Sequence, residues 1–527
     1  MFYFIPDFLI SNFEKMEELQ KLISIVKQKS QRSIQLVNQN FRKSQKSKDN
    51  LLYEGIINET YINEETAAKH LFNTDSGNRN YRNTKAKLKQ KLLNHLYFLD
   101  YNKAGYTDFL RAKYECLHLL HQMEILVLEE AGCIAIKKLP LLIKMSKEFE
   151  LIELALEGLL LLRNEFSLQG KCSSLTISEK EIHQLRPFHN AILSCEEVYY
   201  DTMVLINKSY SSGEKVLDQI PEKIREIEKT ATIFHSTRLD ILSKNLKIAF
   251  YQMTNSYEEI LSICNDLEKN YIPPDISEIK VDLDYREITF LKIFCLYALN
   301  RINEGIAYGQ RKEFLFKEGS DDWFRFKEYQ FLIMMKGEKF HQAAKIFRTV
   351  KINKNFNTLV KHDKNRWIIF RAYILFINDI KLIKWGFDIE QFKKTVPKYP
   401  KKLIGYTIAT LIIQFMYYLR EGNVAKIKQI LNQLKPLSST HLDKRHNYRN
   451  SVFVRMLEIV IDKEFEYEAI HLKCQNYHQK LKEIQIPPDF KQEMEIIPLE
   501  ILWEYILNIL STNKYYIHYR FYHFSEI

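Results

Sequence analysis

Apolar residues recur at spacings of three and four along most of the chain, which is the period of an amphipathic α-helix. Leucine and isoleucine form two clear stripes of this kind: Leu88, Leu92, Leu96 and Leu99, and Leu117, Leu120, Ile125 and Leu128. Aromatic residues make up 13% of the chain, and many of them fall inside such stripes, where they are expected to pack between helices. The pattern predicts an all-α protein.

Short polar turns divide the second half of the chain into units of similar length. Their centres lie near residues 254, 301, 337, 378, 422 and 463. The interval between successive centres is long enough for two helices and two turns. A helical hairpin of that size buries its apolar face only by stacking on its neighbours. We therefore expect stacked antiparallel helical hairpins that form a solenoid.

One of these units resembles the middle of a tetratricopeptide repeat. The stretch 334–347 reads MMKGEKFHQAAKIF, and the resemblance rests on Gly337, Phe340 and Ala343. A weaker match follows at Gly422 and Ala425. The resemblance implies a tetratricopeptide-like right-handed solenoid over about residues 240–480, in which a small residue lets the chain turn, an aromatic ring fills the space between paired helices and alanine permits close approach.

The predicted organisation has four parts. Residues 1–84 hold an N-terminal helix, a basic linker and a loop at 73–83, and residues 85–235 form a region of helical hairpins. Residues 236–480 carry the repeats, and residues 481–527 form a last helix and an aromatic tail.

Three features bear on the compartment of the protein. The 17 residues from Leu403 to Leu419 carry no charge, but their length and their polar members favour a buried core helix over a membrane span. The N-terminal MFYFIPDFLI lacks a basic flank and a cleavage site, so an ordered apolar arm is expected rather than a signal peptide. Seven scattered cysteines without a CxxC pair favour reduced thiols and the cytoplasm.

A search for catalytic chemistry finds no recognisable motif. GxGxxG, GxxxxGK[ST], GxSxG and HExxH are all absent. His118 and His121 share one helix face, but no second cluster supplies further metal ligands, so ordinary surface histidines are expected. The sequence thus predicts no catalytic residue, no cofactor and no metal, and an enzyme of an unmarked helical family stays an alternative.

The charge layout is more informative than the motifs. The net charge of +11 is concentrated, because residues 339–402 alone hold sixteen basic and four acidic residues. Residues 27–48 and 79–91 are basic stretches without an acid. The candidate partner-binding group lies near Pro397 and Pro400, which interrupt helices, and is therefore expected on an exposed connection. Its members are Lys393, Lys394, Lys398, Lys401 and Lys402.

These observations predict a non-enzymatic scaffold that binds a protein or peptide partner on its stacked helices. The first alternative is a nucleic-acid-associated regulatory protein that uses the basic zones 27–91 and 339–402. Solvated lysine-rich faces that bind nothing remain a further interpretation of the same charge. A membrane partner is not expected, and the oligomeric state is left open.

Overall fold

The computed structural model consists mainly of α-helices in the part of the chain that it describes. The described residues are 15–29, 47–58, 60–61, 63–101, 106–209, 218–359, 361–377, 389–395, 404–440, 448–484 and 495–512. Helix accounts for 84% of the structure, and the described residues contain no strand. The all-α prediction is confirmed.

The chain divides into two compact units. The first unit comprises residues 1–247 and 267–284, and the second comprises residues 248–266 and 285–527. The division therefore runs through two consecutive helices, α10 (Thr237–Met253) and α11 (Tyr257–Tyr271).

The first unit contains nine helices that precede α10 among its described residues. They are α1 (Lys15–Lys29), α2 (Lys48–Ile57), α3 (Glu64–Phe72), α4 (Arg79–His95), α5 (Asp108–Leu128), α6 (Gly132–Glu148), α7 (Ile152–Leu168), α8 (Cys172–Ser209) and α9 (Ile220–Phe234). They form two groups, which have separate apolar cores.

Helices α1 to α4 share one small core. Leu19, Leu52, Tyr81 and Leu92 are fully buried there, and α4 packs against each of the other three helices. The loop predicted at 73–83 is shorter in the structure, because α4 begins at Arg79. Residue 84, where the first predicted part ends, lies inside α4, and Tyr81 and Leu88 on both sides of it belong to the same core.

Helices α5 to α9 pack each on the next, and α5 also contacts α7. Their core is mainly aliphatic and includes Leu139 and Leu142 of α6. Backbone contacts tie this group to residues 276–279, where the N–H of Phe109 donates to the carbonyl of Ile279 at 2.9 Å. Glu150 links it to α10, because its carboxylate accepts from the backbone N–H of Thr237 at 2.9 Å.

The second unit contains eleven further helices among its described residues. They are α12 (Tyr285–Ala298), α13 (Ile302–Lys312), α14 (Asp321–Lys336), α15 (Phe340–Ile352), α16 (Lys361–Ile377), α17 (Ile389–Thr395), α18 (Ile404–Glu421), α19 (Val424–Thr440), α20 (Tyr448–Asp462), α21 (Tyr467–Glu483) and α22 (Leu499–Thr512). Consecutive helices contact each other from α12 to α16 and from α18 to α22, and so do alternate ones such as α12 with α14 and α16 with α18.

The even-numbered helices of the second unit carry most of its buried apolar residues. Helix α18, which contains the uncharged stretch, is buried from Gly405 to Leu419 except at the half-buried Thr407. A helix that is apolar all round is typical of a protein core, so the core-helix prediction is confirmed. None of the described helices combines the length and the apolar character that a membrane-spanning helix requires.

The hairpin turns share one backbone conformation. A residue with positive φ follows the helix, and the next N–H donates back over five residues to a helix carbonyl at 2.7–3.0 Å, which is the Schellman motif. The left-handed residues are Glu130, Glu150, Gly170, His235, Asn255, Asn300, Glu338, Gly422 and Glu464. The turns predicted near 254, 301, 337, 422 and 463 are confirmed, and the one near 378 lies outside the described residues.

Candidate interaction surfaces

The residues that carry the tetratricopeptide resemblance lie at the α14–α15 hairpin. Gly337 ends α14 with a negative φ, and a Cβ atom there would lie 2.5 Å from Cγ2 of Ile302. Glycine is therefore needed for close approach to α13, while Glu338 takes the left-handed conformation of the turn. Ala343 is fully buried, and Phe340 is half-buried.

The weaker match behaves differently. Gly422 has a φ of 67° and supplies the turn between α18 and α19, with open space where a Cβ would lie. Ala425 is exposed, and Ile427 is the side chain that α19 buries in its place. The small residue at this turn thus permits the backbone conformation, whereas the alanine does not mediate helix packing.

Two of the five candidate partner-binding lysines lie in described residues. Lys393 and Lys394 belong to the last turn of α17 rather than to an irregular connection. The ammonium of Lys393 lies 3.8 Å from the Glu390 carboxylate, and Lys394 is exposed. Lys398, Lys401 and Lys402 lie outside the described residues, so binding by this group stays a prediction.

Part of the charge in the basic zone 339–402 is used inside the fold. The guanidinium of Arg366 lies 2.7 Å from Glu328 of α14, and burial raises the pKa of that carboxyl although the arginine opposes the shift. The aromatic rings of Phe356, Trp367 and Tyr373 are buried. These three rings are therefore not available for stacking on bases.

A buried polar network in the second unit was not predicted from the sequence. Arg449 of α20 pairs with Glu495 at 2.6 Å, and the two residues are only 1% and 2% exposed. Arg449 also donates to the carbonyl of Ile484 at 2.7 Å and pairs with Glu500. Because neither partner reaches the surface, we assign this network to holding α20, α21 and residues 495–500 together.

The same network extends to α12 and α14. The hydroxyl of Tyr297 donates to the backbone carbonyl of Glu495 at 3.0 Å, and the ammonium of Lys336 donates to the carbonyl of Tyr297 at 2.5 Å. Burial lowers the pKa of Lys336 to about 8. The sequence gives no sign of these contacts, because the partners are 39 to 198 residues apart.

The histidine pair considered as a metal site makes other contacts. Nε2 of His118 lies 2.6 Å from the hydroxyl of Tyr101, and the ring of His121 stacks on Tyr97. Across the described residues, no group of three or more histidine, cysteine or acidic side chains is placed to hold a metal ion. The two rings thus act as members of an aromatic cluster at the surface of α5.

An open groove of about 470 Å³ lies between α6, α7 and α8 in the first unit. Its floor is apolar and is formed by the buried Ile143, Leu159 and Leu162. Its full lining is Pro140, Ile143, Lys144, Lys147, Leu159, Leu162, Phe166, Ser174, Ile177, Ser178 and Glu181. On the rim, Lys147 and Glu181 form an ion pair, and Ile177 is 62% exposed.

Comparison with known proteins returns no similarity: no family model, no curated protein and no solved structure matches this chain. The tetratricopeptide resemblance is therefore not supported by a family match.

Proposed function

We propose that this protein is a non-enzymatic scaffold of tetratricopeptide-like stacked hairpins that binds a partner protein in the groove of the first unit. Support comes from the packing of consecutive helices within each unit and from the shared hairpin turn. The observation that carries the proposal is the open apolar groove between α6, α7 and α8. It lies between stacked helices, where repeat proteins commonly offer binding surfaces.

The groove matches the apolar face of a helix in its size and chemistry. Helix-binding grooves take anchor side chains at spacings of three and four, and their floors are apolar. Here Leu159 and Leu162 form the floor, and Phe166 lies one turn further along α7. The exposed Ile177 adds an apolar contact on the α8 side, where it would be covered by a bound helix.

The charge around the groove favours an acidic partner. Lys144 belongs to the lining, and Lys137 and Lys138 lie within two turns before it on α6. All three are exposed, and none makes an ion pair among the described residues. The charged residues of the lining are Lys144, Lys147 and Glu181, and the last two pair with each other. The groove therefore offers an apolar floor and positive charge at its edge. The occupant that fits it is an amphipathic helix with carboxylates beside its apolar face.

A matched pair of exposed apolar residues tests this proposal. Ile177→Glu places a charge on the groove rim, whereas Leu168→Glu places one on a residue of α7 that is 82% exposed and outside the lining. Affinity capture from the native organism, with the captured proteins identified, should show a partner that wild type and Leu168→Glu retain and Ile177→Glu loses. Retention of the same partners by both variants would contradict groove binding.

A second measurement uses the partner found in this way, in purified form. Changing Lys137, Lys138 and Lys144 to glutamine should weaken its binding, and the loss should be largest at low salt, where screening is least. If the variant and wild type bind the partner with equal affinity at low salt, the proposal that an acidic helix occupies the groove is wrong.

A further inference from the structure

Helix α4 of the first unit carries a strongly basic face. Its 17 residues, RNYRNTKAKLKQKLLNH, include six lysines and arginines and no acid. The buried side chains Tyr81, Leu88 and Leu92 lie on one side of the helix and join the core shared with α1, α2 and α3. The opposite side of α4, which carries the basic face, is exposed. Because the buried side packs against three other helices, the position of the basic face is fixed.

The basic residues of α4 fall into two sets. The first set lies at the flanks and neutralises acids of the neighbouring helices: Lys85 pairs with Glu64, Lys89 with Glu18 and Lys91 with Asp49. The second set is Arg79, Arg82 and Lys87, which are exposed and have no acidic partner among the described residues. Ion pairs with the neighbouring helices thus account for the basic residues of the first set, whereas no such contact accounts for those of the second set.

The acids closest in sequence to this face are engaged elsewhere. Glu65 accepts a hydrogen bond from the backbone N–H of Ser76, and Asp75 accepts one from the N–H of Gly77 at 2.8 Å. Both bonds lie within or across the turn that leads into α4. Neither carboxylate forms an ion pair with Arg79, Arg82 or Lys87 among the described residues.

The remaining exposed positions of the face are polar amides and one alanine. They are Asn80, Asn83, Ala86, Gln90 and Asn94. At 100° per residue they and the three unpaired basic residues cover one continuous stripe of the helix. Arginine, lysine, asparagine and glutamine are the side chains that hydrogen-bond to phosphates and to base edges.

We propose that α4 binds double-stranded DNA by lying in the major groove with this stripe. Arg79, Arg82 and Lys87 contact phosphates, and Asn83 and Gln90 face the base edges. A helix of 17 residues is about 25 Å long, and the major groove of DNA is about 12 Å wide and admits an α-helix, whereas that of double-stranded RNA is too narrow to be read. A membrane surface fits less well, because the stripe has no large apolar residue to insert between lipids.

The test measures binding of the full-length protein to a fluorescently labelled 30-base-pair DNA duplex of mixed sequence at 50–300 mM salt. The test variant changes Arg79, Arg82 and Lys87 to glutamine. The control changes the exposed Lys180, Arg186 and Lys229 to glutamine, which removes the same charge from α8 and α9. Circular dichroism verifies that both variants stay folded.

Wild type and control should bind with similar affinity, and the test variant should bind at least tenfold more weakly at low salt. Each lost phosphate contact should reduce the slope of log K against log salt by about 0.9. Asn83→Ala with Gln90→Ala should leave that slope unchanged and flatten the preference among sequences in a selection from a random duplex pool.

Three outcomes would overturn the proposal. The first is no binding of wild type at 50 mM salt, and the second is an equal loss in the test variant and the control. The third is binding of wild type to vesicles that contain phosphatidylserine but not to the duplex, with loss in the test variant, which would assign the stripe to a lipid surface. The proposal does not depend on the groove between α6, α7 and α8.

Discussion

Single residues in the left-handed conformation define the hairpin turns of both units. Nine described residues take this conformation at the shared hairpin turns; only Gly170 and Gly422 among these nine are glycines, and the others are mainly glutamate and asparagine. Glycine is the usual residue at such a position because it has no Cβ to clash. The turns are therefore marked in the sequence by their polarity rather than by a regular glycine signal.

The left-handed conformation predicts that replacing glutamate by glycine changes the free energy of unfolding in opposite directions at two exposed positions. Glu130 has a φ of 57° after α5, whereas Glu124 lies inside α5. Glu124→Gly should lower the free energy of unfolding by about 1 kcal/mol, the usual cost of glycine within a helix. Glu130→Gly should raise it by up to about 1 kcal/mol, because the left-handed strain is relieved. Urea titration measures both, and equal destabilisation would refute the turn geometry.

The buried Lys336 predicts a pH dependence of stability in the second unit. Its pKa falls from 10.5 to about 8 on folding because burial disfavours the charged form. Between these two values the unfolded chain binds more protons than the folded one, so the contribution of this lysine to the free energy of unfolding rises with pH.

Comparison with variants isolates that contribution. From pH 7.5 to pH 10, the stability of wild type relative to Lys336→Met should rise by about 1–3 kcal/mol. Lys339→Met removes an exposed lysine next to the same turn and serves as the control, for which the difference should not change with pH. A pH-independent difference for Lys336→Met would show that its ammonium is hydrated in the folded state.

At the scale of the helices, sequence periodicity predicted the elements but not the contacts between them. The stripes and polar turns located most of the hairpins because a helix and its turn are encoded within about 20 residues. The tie between α20 and residues 495–500 depends on Arg449 and Glu495, which are 46 residues apart. In the sequence, each of these two residues looks like an ordinary solvent-exposed charged residue. Only the structure shows that both are buried and paired with each other.

The buried ion pair of Arg449 and Glu495 predicts that substitutions of the two residues have strongly non-additive effects on the free energy of unfolding. Arg449→Met leaves the carboxylate of Glu495 buried without its partner and should cost about 3–5 kcal/mol of stability. Adding Glu495→Gln removes the unpaired charge, so the double variant should recover part of that loss. A double-mutant cycle by urea denaturation measures the coupling, and strictly additive effects would show that the pair is solvated.

At the scale of the whole molecule, the helical periodicity predicted an all-α chain, the spacing of the turns predicted packed hairpins, and the net charge pointed to basic surfaces. The candidate groove could not be predicted, because Ile143, Leu159 and Ile177 lie on three helices and look like ordinary members of three separate stripes. The basic stretch 79–91 was visible in the sequence, but its division into paired and unpaired residues required the positions of α1, α2 and α3.

Hydrogen–deuterium exchange of the full-length protein, with and without the purified partner that Ile177→Glu loses, tests the scaffold proposal most directly. Binding of a helix in the groove should slow exchange in peptides that cover residues 140–147, 159–166 and 174–181, and Leu168→Glu should show the same protection. Unchanged exchange in all three segments, with protection elsewhere in the chain, would contradict the assignment of this groove as the partner-binding site.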